Sequence, residues 1–336
     1  MDHVKMGVIG LGRFGALHAR VLSQLPQVEL VGVCSRSGSR AAEVAGTCGN
    51  PRCYTDPAEM LRDADIQAVD IVTEVDRHTE IAALAMQNGK HVFCEILVAP
   101  GLEEMDRLIE QSETTRTLFM PGFLERFDVR RAAIKEKTDR GGLGQLVSIY
   151  GRRNIWRGIL DEPRFKPYPL ILQPGVHTID QLLWLAGDRV CEVYARTRCM
   201  VDPDRPDAWW ATLTFENGTI GVIEQSWFVP NKKLYWSDVH LEVVGTDGTA
   251  HIREPNDASW TWTAESVENA DLYLAPEVHG RISGALEAEL AHFADCVSSG
   301  TQNTLCSLQD ARDALTVGLA IVESGEQGRP VVLPAP

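Results

Sequence analysis

Val4-Lys5-Met6-Gly7-Val8-Ile9-Gly10-Leu11-Gly12-Arg13-Phe14-Gly15 decides the fold. A short apolar run, Val4–Gly10, leads into Gly-x-Gly-x-x-Gly at residues 10–15, and Phe14, Leu17, Val21, Leu22 and Leu25 then recur at helical spacing. In isolation three glycines are a weak signal. Between a strand and an amphipathic helix they form the dinucleotide-binding fingerprint. Gly10 permits the tight turn, Gly12 lets backbone approach a pyrophosphate, and Gly15 allows helix to pack closely on strand. The helix start, through Arg13 and Phe14, then presents free N–H groups and a partial positive charge to the phosphates.

Working outward, Val28–Ser35, Ala68–Thr73, His91–Glu95 and Thr117–Phe123 are strand-like, with helical stretches near 77–88 and 101–113. Strands alternating with helices predict crossovers and a parallel sheet. After about residue 123 the pattern changes. One helix near 128–139 runs to Gly141-Gly142, followed by β-type segments at 145–154, 191–200, 208–215, 219–228 and 239–252. Glu216-Asn217-Gly218 and Thr246-Asp247-Gly248 read as hairpin turns. Helices near 286–298 and 307–323 come last. The expected fold class is an α/β Rossmann domain, 1–123, plus an α+β domain, 124–336, whose tight turns imply a largely antiparallel sheet.

The length, 336 residues, suits two domains at about 150 residues each. With 47 acidic against 32 basic residues the net charge is −15, which argues against nucleic acid or an anionic membrane as main partner. No signal-peptide pattern opens the chain and no apolar run reaches 18 residues. Eight cysteines in this length do not suggest a disulfide scaffold, and Cys48 and Cys53 lack the second pair a zinc site needs. The expectation is a reduced, cytoplasmic protein without a metal, acting on a small molecule.

The end of the second strand bears on the choice of dinucleotide. An NAD site usually places Asp or Glu there, on the ribose 2′-hydroxyl. This chain has Cys34-Ser35-Arg36-Ser37-Gly38-Ser39-Arg40. Ser35, Arg36 and Arg40 suit a 2′-phosphate, which an acid would repel, so NADP(H) is expected over NAD(H). The competing reading of Arg36 and Arg40 is a solvated loop and an exposed helix start.

Further segments extend the pattern: Thr73 to His78 followed by Glu80; Gly89-Lys90-His91-Val92-Phe93-Cys94-Glu95; Pro121 to Asp128; Gly144-Gln145-Leu146; Gly175-Val176-His177-Thr178-Ile179-Asp180; and Glu242 to Thr249. In order and spacing they resemble the glucose–fructose oxidoreductase/inositol dehydrogenase (Gfo/Idh/MocA) family over almost the whole chain. The resemblance implies a Rossmann domain followed by a large, mostly antiparallel open sheet through which homodimers or homotetramers form. It also implies nicotinamide-dependent oxidation or reduction of a hydroxyl or carbonyl on a sugar, cyclitol or related compound. Glu95 would then lie near the nicotinamide ribose and Thr73 along the cofactor groove. For His78, cofactor binding and a helix-start role both stay open.

Two departures fall at the reacting centre. Where the family has the lysine of Glu-Lys-Pro, this chain has Ile96, and where it has an aspartate four residues before the histidine, this chain has Gln173. Gln173 is left as a hydroxyl-binding group, and His177 is the remaining acid/base. Three readings compete: His177 acts alone on an aldehyde, lactol or activated ketone; Lys166 or Tyr168 replaces the lysine; or the protein binds dinucleotide without redox turnover. A lyase or hydrolase using transient oxidation is a further alternative. Asp180, one turn after His177, either orients the imidazole or is a surface carboxylate. Trp156, with Arg153 and Arg157, offers a place for an acidic substrate. The other tryptophans of this half, Trp209, Trp210, Trp227 and Trp236, are expected mainly in the core or a subunit interface.

Overall fold

A computed structural model describes residues 3–158, 167–230, 237–256 and 258–334. The chain divides into two compact units, residues 1–128 with 272–312, and residues 129–271 with 313–336.

The first unit is built on six strands: β1 (Val4–Ile9), β2 (Val28–Cys34), β3 (Arg52–Tyr54), β4 (Ala68–Ile71), β5 (His91–Glu95) and β6 (Phe119–Gly122). They lie in the order β3-β2-β1-β4-β5-β6, and every pairing is parallel. The order reverses direction between β1 and β4, which defines a crevice at the strands' C-terminal ends. Helices α1 (Arg13–Leu22), α2 (Gly38–Ala45), α3 (Pro57–Leu61), α4 (Val75–Gln87) and α5 (Leu102–Thr115) make the connections. Because helices cover both faces of such a sheet, its central strands read as near-continuous apolar runs and do not alternate; all four residues of β4 are buried, among them Asp70. Strand β3 has no apolar periodicity, with Arg52 and Cys53 exposed, and the sequence pattern did not predict it.

The second unit holds α6 (Val129–Asp139), β7 (Leu146–Trp156), α7 (Gly175–Ala186), β8 (Val190–Arg198), β9 (Ala208–Phe215), β10 (Ile220–Val229), β11 (Ser237–Gly245) and β12 (Thr249–Glu254). In chain order two short hairpins follow, β13–β14 (Trp260–Trp262, Val267–Asn269) and β15–β16 (Glu277–Val278, Arg281–Ile282), then α8 (Ala285–Ser299), α9 (Leu308–Gln327) and β17 (Val331–Val332); of these β15–β16, α8 and the start of α9 belong to the first unit. The seven-stranded sheet runs β12-β11-β7-β10-β9-β8-β17; β7 and β10 pair in parallel and all other pairs are antiparallel. Both predicted turns are present, so the segment expected as one stretch at 239–252 is two strands.

Strict alternation separates the faces of this sheet. Trp209, Ala211, Leu213, Phe215, Ile223, Gln225 and Trp227 are buried on one side, while Trp210, Ile220 and Phe228 are exposed on the other. Trp209 and Trp227 are thus core residues, Trp210 is not, and Trp236 lies outside the described residues.

The expected single cut at 123/124 differs from the observed division. The first unit continues to Asp128, and Leu272–Arg312 returns to it. Packing explains the return. Phe293 of α8 lies edge-on to Phe93 of β5 with centroids 5.7 Å apart, and both rings are fully buried. Arg126, nearly buried, pairs with Asp310 at 3.2 Å, and Arg312 with Asp106. A late helix therefore completes the core of the N-terminal sheet, which local periodicity does not reveal. Among the described residues no helix is long and apolar enough to cross a membrane, and no cluster of His, Cys, Asp and Glu could hold a metal ion. All eight cysteines are free.

If α8 is part of the first unit's core, Phe293→Ala should cost about 3–5 kcal/mol, as for other buried aromatic truncations. A lower urea midpoint at unchanged slope would show this; an unchanged midpoint would place α8 outside that core.

Candidate active site

In the first unit, β1 ends at Ile9 and the chain turns at Gly10 with φ +98°, a conformation side chains disfavour. The Gly10 amide donates to the carbonyl of Cys34 at 3.0 Å, tying the turn to the end of β2. A Cβ at Gly15 would stand 1.8 Å from the Gly10 carbonyl oxygen, so α1 rests directly on the turn that precedes it. Gly12, at the helix N-cap, is different: a Cβ there would meet nothing within 4 Å. No side chain caps α1 and its first turn carries no acid. The first helical hydrogen bond runs from the Ala16 amide to the Gly12 carbonyl at 3.0 Å, leaving the amides of Arg13, Phe14 and Gly15 without intrahelical acceptors. The exposed start of α1 therefore fits a pyrophosphate: unclaimed donors, a favourable helix dipole and space for close approach.

The ribose end is equally specific. Ser35 is half-buried, and its hydroxyl accepts from the Ser37 amide at 3.3 Å. Ser37 in turn caps α2 by accepting from the Arg40 amide. Arg40 is not a solvated helix start: its Nε donates to the Leu11 carbonyl at 2.8 Å and its Nη1 pairs with Glu43, so its guanidinium lies on the glycine loop. The Arg36 side chain is 89% exposed and reaches Glu74 at 3.5 Å.

The neighbouring strands deliver Thr73 and Glu95 to the same C-terminal edge. Thr73, half-buried, follows β4, and Glu95 closes β5. His78 has a different task from cofactor binding. It is buried on α4, its Nδ1 lies 2.7 Å from the Leu97 carbonyl and its Nε2 2.9 Å from the Thr73 carbonyl. Both nitrogens face backbone carbonyls, and the one that carries the proton donates, so the ring packs the segment after β4 against the segment after β5. Burial holds its pKa below the usual histidine value despite those carbonyls.

The motif gave no role to His18 and Asp70. His18 is fully buried on α1, with Nδ1 2.8 Å from Asp70 Oδ2 and Nε2 3.5 Å from Glu95 Oε1. Burial opposes a charged His18, but the Asp70 and Glu95 carboxylates outweigh it and its pKa is raised. Glu95 is raised as well, by burial first and by Asp70, against the lowering effect of His18. A charged residue in an otherwise apolar four-residue strand was the available sequence signal for Asp70.

The second unit supplies a separate set. His177 is half-buried in the first turn of α7, and Gln173 is half-buried just before that helix. Asp180 is 2% exposed, so it is not a surface carboxylate. Arg153 is buried and its Nε reaches Thr178 Oγ1 at 3.3 Å, so it faces α7 from β7. Trp156 packs on the buried cluster Ile155, Leu170 and Trp227, and Arg157 beyond it is exposed. Tyr168 is half-buried, and its carbonyl accepts from Arg205 at 3.2 Å. Lys166 lies outside the described residues. Ile96, at the family's lysine position, is half-buried in the first unit and carries no titratable group.

These features define a dinucleotide-binding α/β unit joined to an open-sheet unit. Residues 4–123 match the oxidoreductase family with NAD-binding Rossmann fold, GFO/IDH/MocA, and residues 132–251 match the GFO/IDH/MocA C-terminal domain. A relative in Bacillus subtilis, named scyllo-inositol 2-dehydrogenase (NAD(+)), is 30% identical over 99% of this chain and 97% of its own length. Myo-inositol 2-dehydrogenase of Thermotoga maritima is 28% identical over 98% of each chain. The crystal structure of myo-inositol 2-dehydrogenase from Lactobacillus plantarum has the same fold, with TM-score 0.87 at 23% identity, covering 99% of this chain and 100% of that one. The chain belongs to the GFO/IDH/MocA oxidoreductase family.

The two helix glycines should separate by substitution. Gly12→Ala should leave the thermal midpoint unchanged yet weaken dinucleotide binding about tenfold or more, because only the approaching phosphate meets the added methyl. Gly15→Ala should lower the midpoint itself, since the methyl meets backbone. Calorimetry on both variants, with and without dinucleotide, checks the contrast.

Proposed function

We propose that this chain is an NADP(H)-dependent oxidoreductase acting on a hydroxyl or carbonyl group of a cyclitol, sugar or aldehyde/lactol-type compound. The observation that carries the reading is the uncapped, acid-free start of α1 beside a glycine turn, in a chain whose relatives are named inositol dehydrogenases. The bound dinucleotide would supply hydride acceptance and donation. Gly10, Gly12, Arg13, Phe14 and Gly15 would hold its phosphates, with Thr73 and Glu95 toward the nicotinamide side. Ser35, Arg36 and Arg40 would hold the ribose 2′-phosphate; the lack of a carboxylate at Ser35 and Arg36 and the seat of Arg40 on the glycine loop support this preference. The Bacillus subtilis relative is named for NAD(+), so the preference is a property to be measured on this chain.

His177 is the proton-transfer group in this reading. Oxidising an alcohol requires a base for its proton, and Ile96 cannot supply one. Gln173, Asp180, Tyr168, Lys166, Trp156 and Arg157 are proposed on the substrate side, where Gln173 serves as a hydrogen-bonding group and not a base. The loss of the lysine and aspartate favours a second reading, a dinucleotide-binding protein without redox turnover. The exposed sheet face bearing Trp210, Ile220 and Phe228 supports assembly into a homodimer or homotetramer. Free cysteines throughout support a reducing, cytoplasmic setting.

Fluorescence titration should give a lower Kd for NADPH than for NADH; the reverse replaces NADP by NAD. On a panel of cyclitols, sugars and aldehydes followed at 340 nm, His177→Ala should lower kcat about 10²–10⁴-fold. Tight cofactor binding without turnover across the panel would move the reading to the non-redox protein. Sedimentation should give a dimer or tetramer that Trp210→Glu converts toward monomer, and a monomeric wild type would remove the sheet-face assembly.

A further inference from the structure

The buried chain Asp70–His18–Glu95 links three elements of the first unit: β4, the phosphate helix α1, and β5. Its side chains are 0%, 0% and 10% exposed. Placing three ionisable groups in an apolar sheet core is costly unless they satisfy one another. Asp70 Oδ2 accepts from His18 Nδ1 at 2.8 Å, which fixes that nitrogen as the protonated one. The neutral ring would then turn the Nε2 lone pair toward Glu95 Oε1, 3.5 Å away. Two lone pairs facing each other in a dry site repel, so one proton must lie between them, on His18 or on Glu95. His18 Nε2 and Glu95 Oε1 are both sealed from solvent with no hydrogen-bond partner, which leaves each as the other's electrostatic counterpart. Glu95 Oε2 is not sealed in this way. The carboxyl also rests on β6: a Cβ at Gly122 would stand 2.7 Å from Oε1, so only glycine admits the Glu95 side chain in this pose.

We propose that the Asp70–His18 pair is the positioning device of Glu95: it holds the proton and Oε1, and so keeps a charged carboxylate whose Oε2 accepts a hydrogen bond from a ribose hydroxyl on the nicotinamide side of the dinucleotide. His18 and Asp70 touch no ligand and act through Glu95. This inference rests on the dinucleotide reading above and adds two residues which the fingerprint does not assign. The titratable groups facing Glu95 are His18 from α1, Asp70 from β4 and, on its own strand, Cys94, whose thiol burial holds far in the neutral form. Of these only His18 favours the carboxylate. Phe14 and Phe93 pack against the His18 ring at 4.4 and 6.0 Å and keep water from replacing it.

The test compares two ligands on the full chain. ADP occupies the phosphate loop and adenosine end, while the reduced dinucleotide also engages the nicotinamide-side ribose. His18→Asn keeps a donor for Asp70 but removes the charge and the group facing Glu95. It should weaken reduced-dinucleotide binding about tenfold while ADP binding stays within about twofold. His18→Gln, which can place a neutral donor near the Nε2 position, should recover part of the loss. Equal weakening for both ligands would mean that His18 merely supports α1, and unchanged dinucleotide affinity would mean that it does nothing for Glu95; either overturns the proposal.

The pH profile supplies an independent arm that needs no variant. Glu95 has its folded pKa raised, so its carboxylate form, and with it dinucleotide affinity relative to ADP, should rise with pH above the ordinary carboxylate range. Removing the His18 charge, the one neighbouring charge that favours the carboxylate, should move that rise to higher pH. A wild-type ratio of affinities that is flat from pH 5 to 8 would overturn the inference even if the variants failed to fold. Failure of the wild type to bind either ligand would instead overturn the dinucleotide reading itself.

Discussion

The first unit depends on the contact between the Gly10 carbonyl and Gly15, where a single methyl would stand at 1.8 Å. No side chain fits between the turn that ends β1 and the helix that follows it. That closeness sets the axis of α1 against the sheet, and the axis sets where the unpaired amides of its first turn point. From that axis the rest of the edge follows. β4 pairs with β1 and β5 with β4, all in parallel, so Thr73 and Glu95 come to the same edge as the glycine turn. The reversal of strand order between β1 and β4 keeps that edge open.

Beneath this edge the core is not wholly apolar. His18, Asp70 and Glu95 are buried together, and the cost of burying them is offset only because each faces another. His78 forms a second polar tie nearby, a buried ring between the Thr73 and Leu97 carbonyls. Both arrangements immobilise the segments that follow β4 and β5. A site that receives a flexible dinucleotide gains from such rigidity, since fewer groups must be ordered on binding.

The second unit divides its sheet between two tasks by strand alternation alone. One face buries Trp209, Trp227 and Gln225; the other exposes Trp210, Ile220 and Phe228. At the α7 end the chemistry is spare. His177 stands in the first turn of the helix with buried Asp180 one turn later and buried Arg153 across from Thr178. The positions that depart from the family pattern hold Ile96 in the first unit and Gln173 in the second, and neither side chain is an acid or a base.

Local sequence carried the strand–turn–helix of the glycine loop, the apolar runs of the parallel-sheet strands and the two hairpin turns. Those features depend on neighbours within a few residues, where periodicity and turn chemistry are direct physical signals. Four features needed the fold. The return of α8 to the first unit depends on Phe93 meeting Phe293 across two hundred positions. The seat of Arg40 on the Leu11 carbonyl and the closure of His78 onto two carbonyls join separate loops. The Asp70–His18–Glu95 chain exists only once β4, α1 and β5 lie side by side, because a buried charge acquires its partner from packing in space and not from adjacency in sequence.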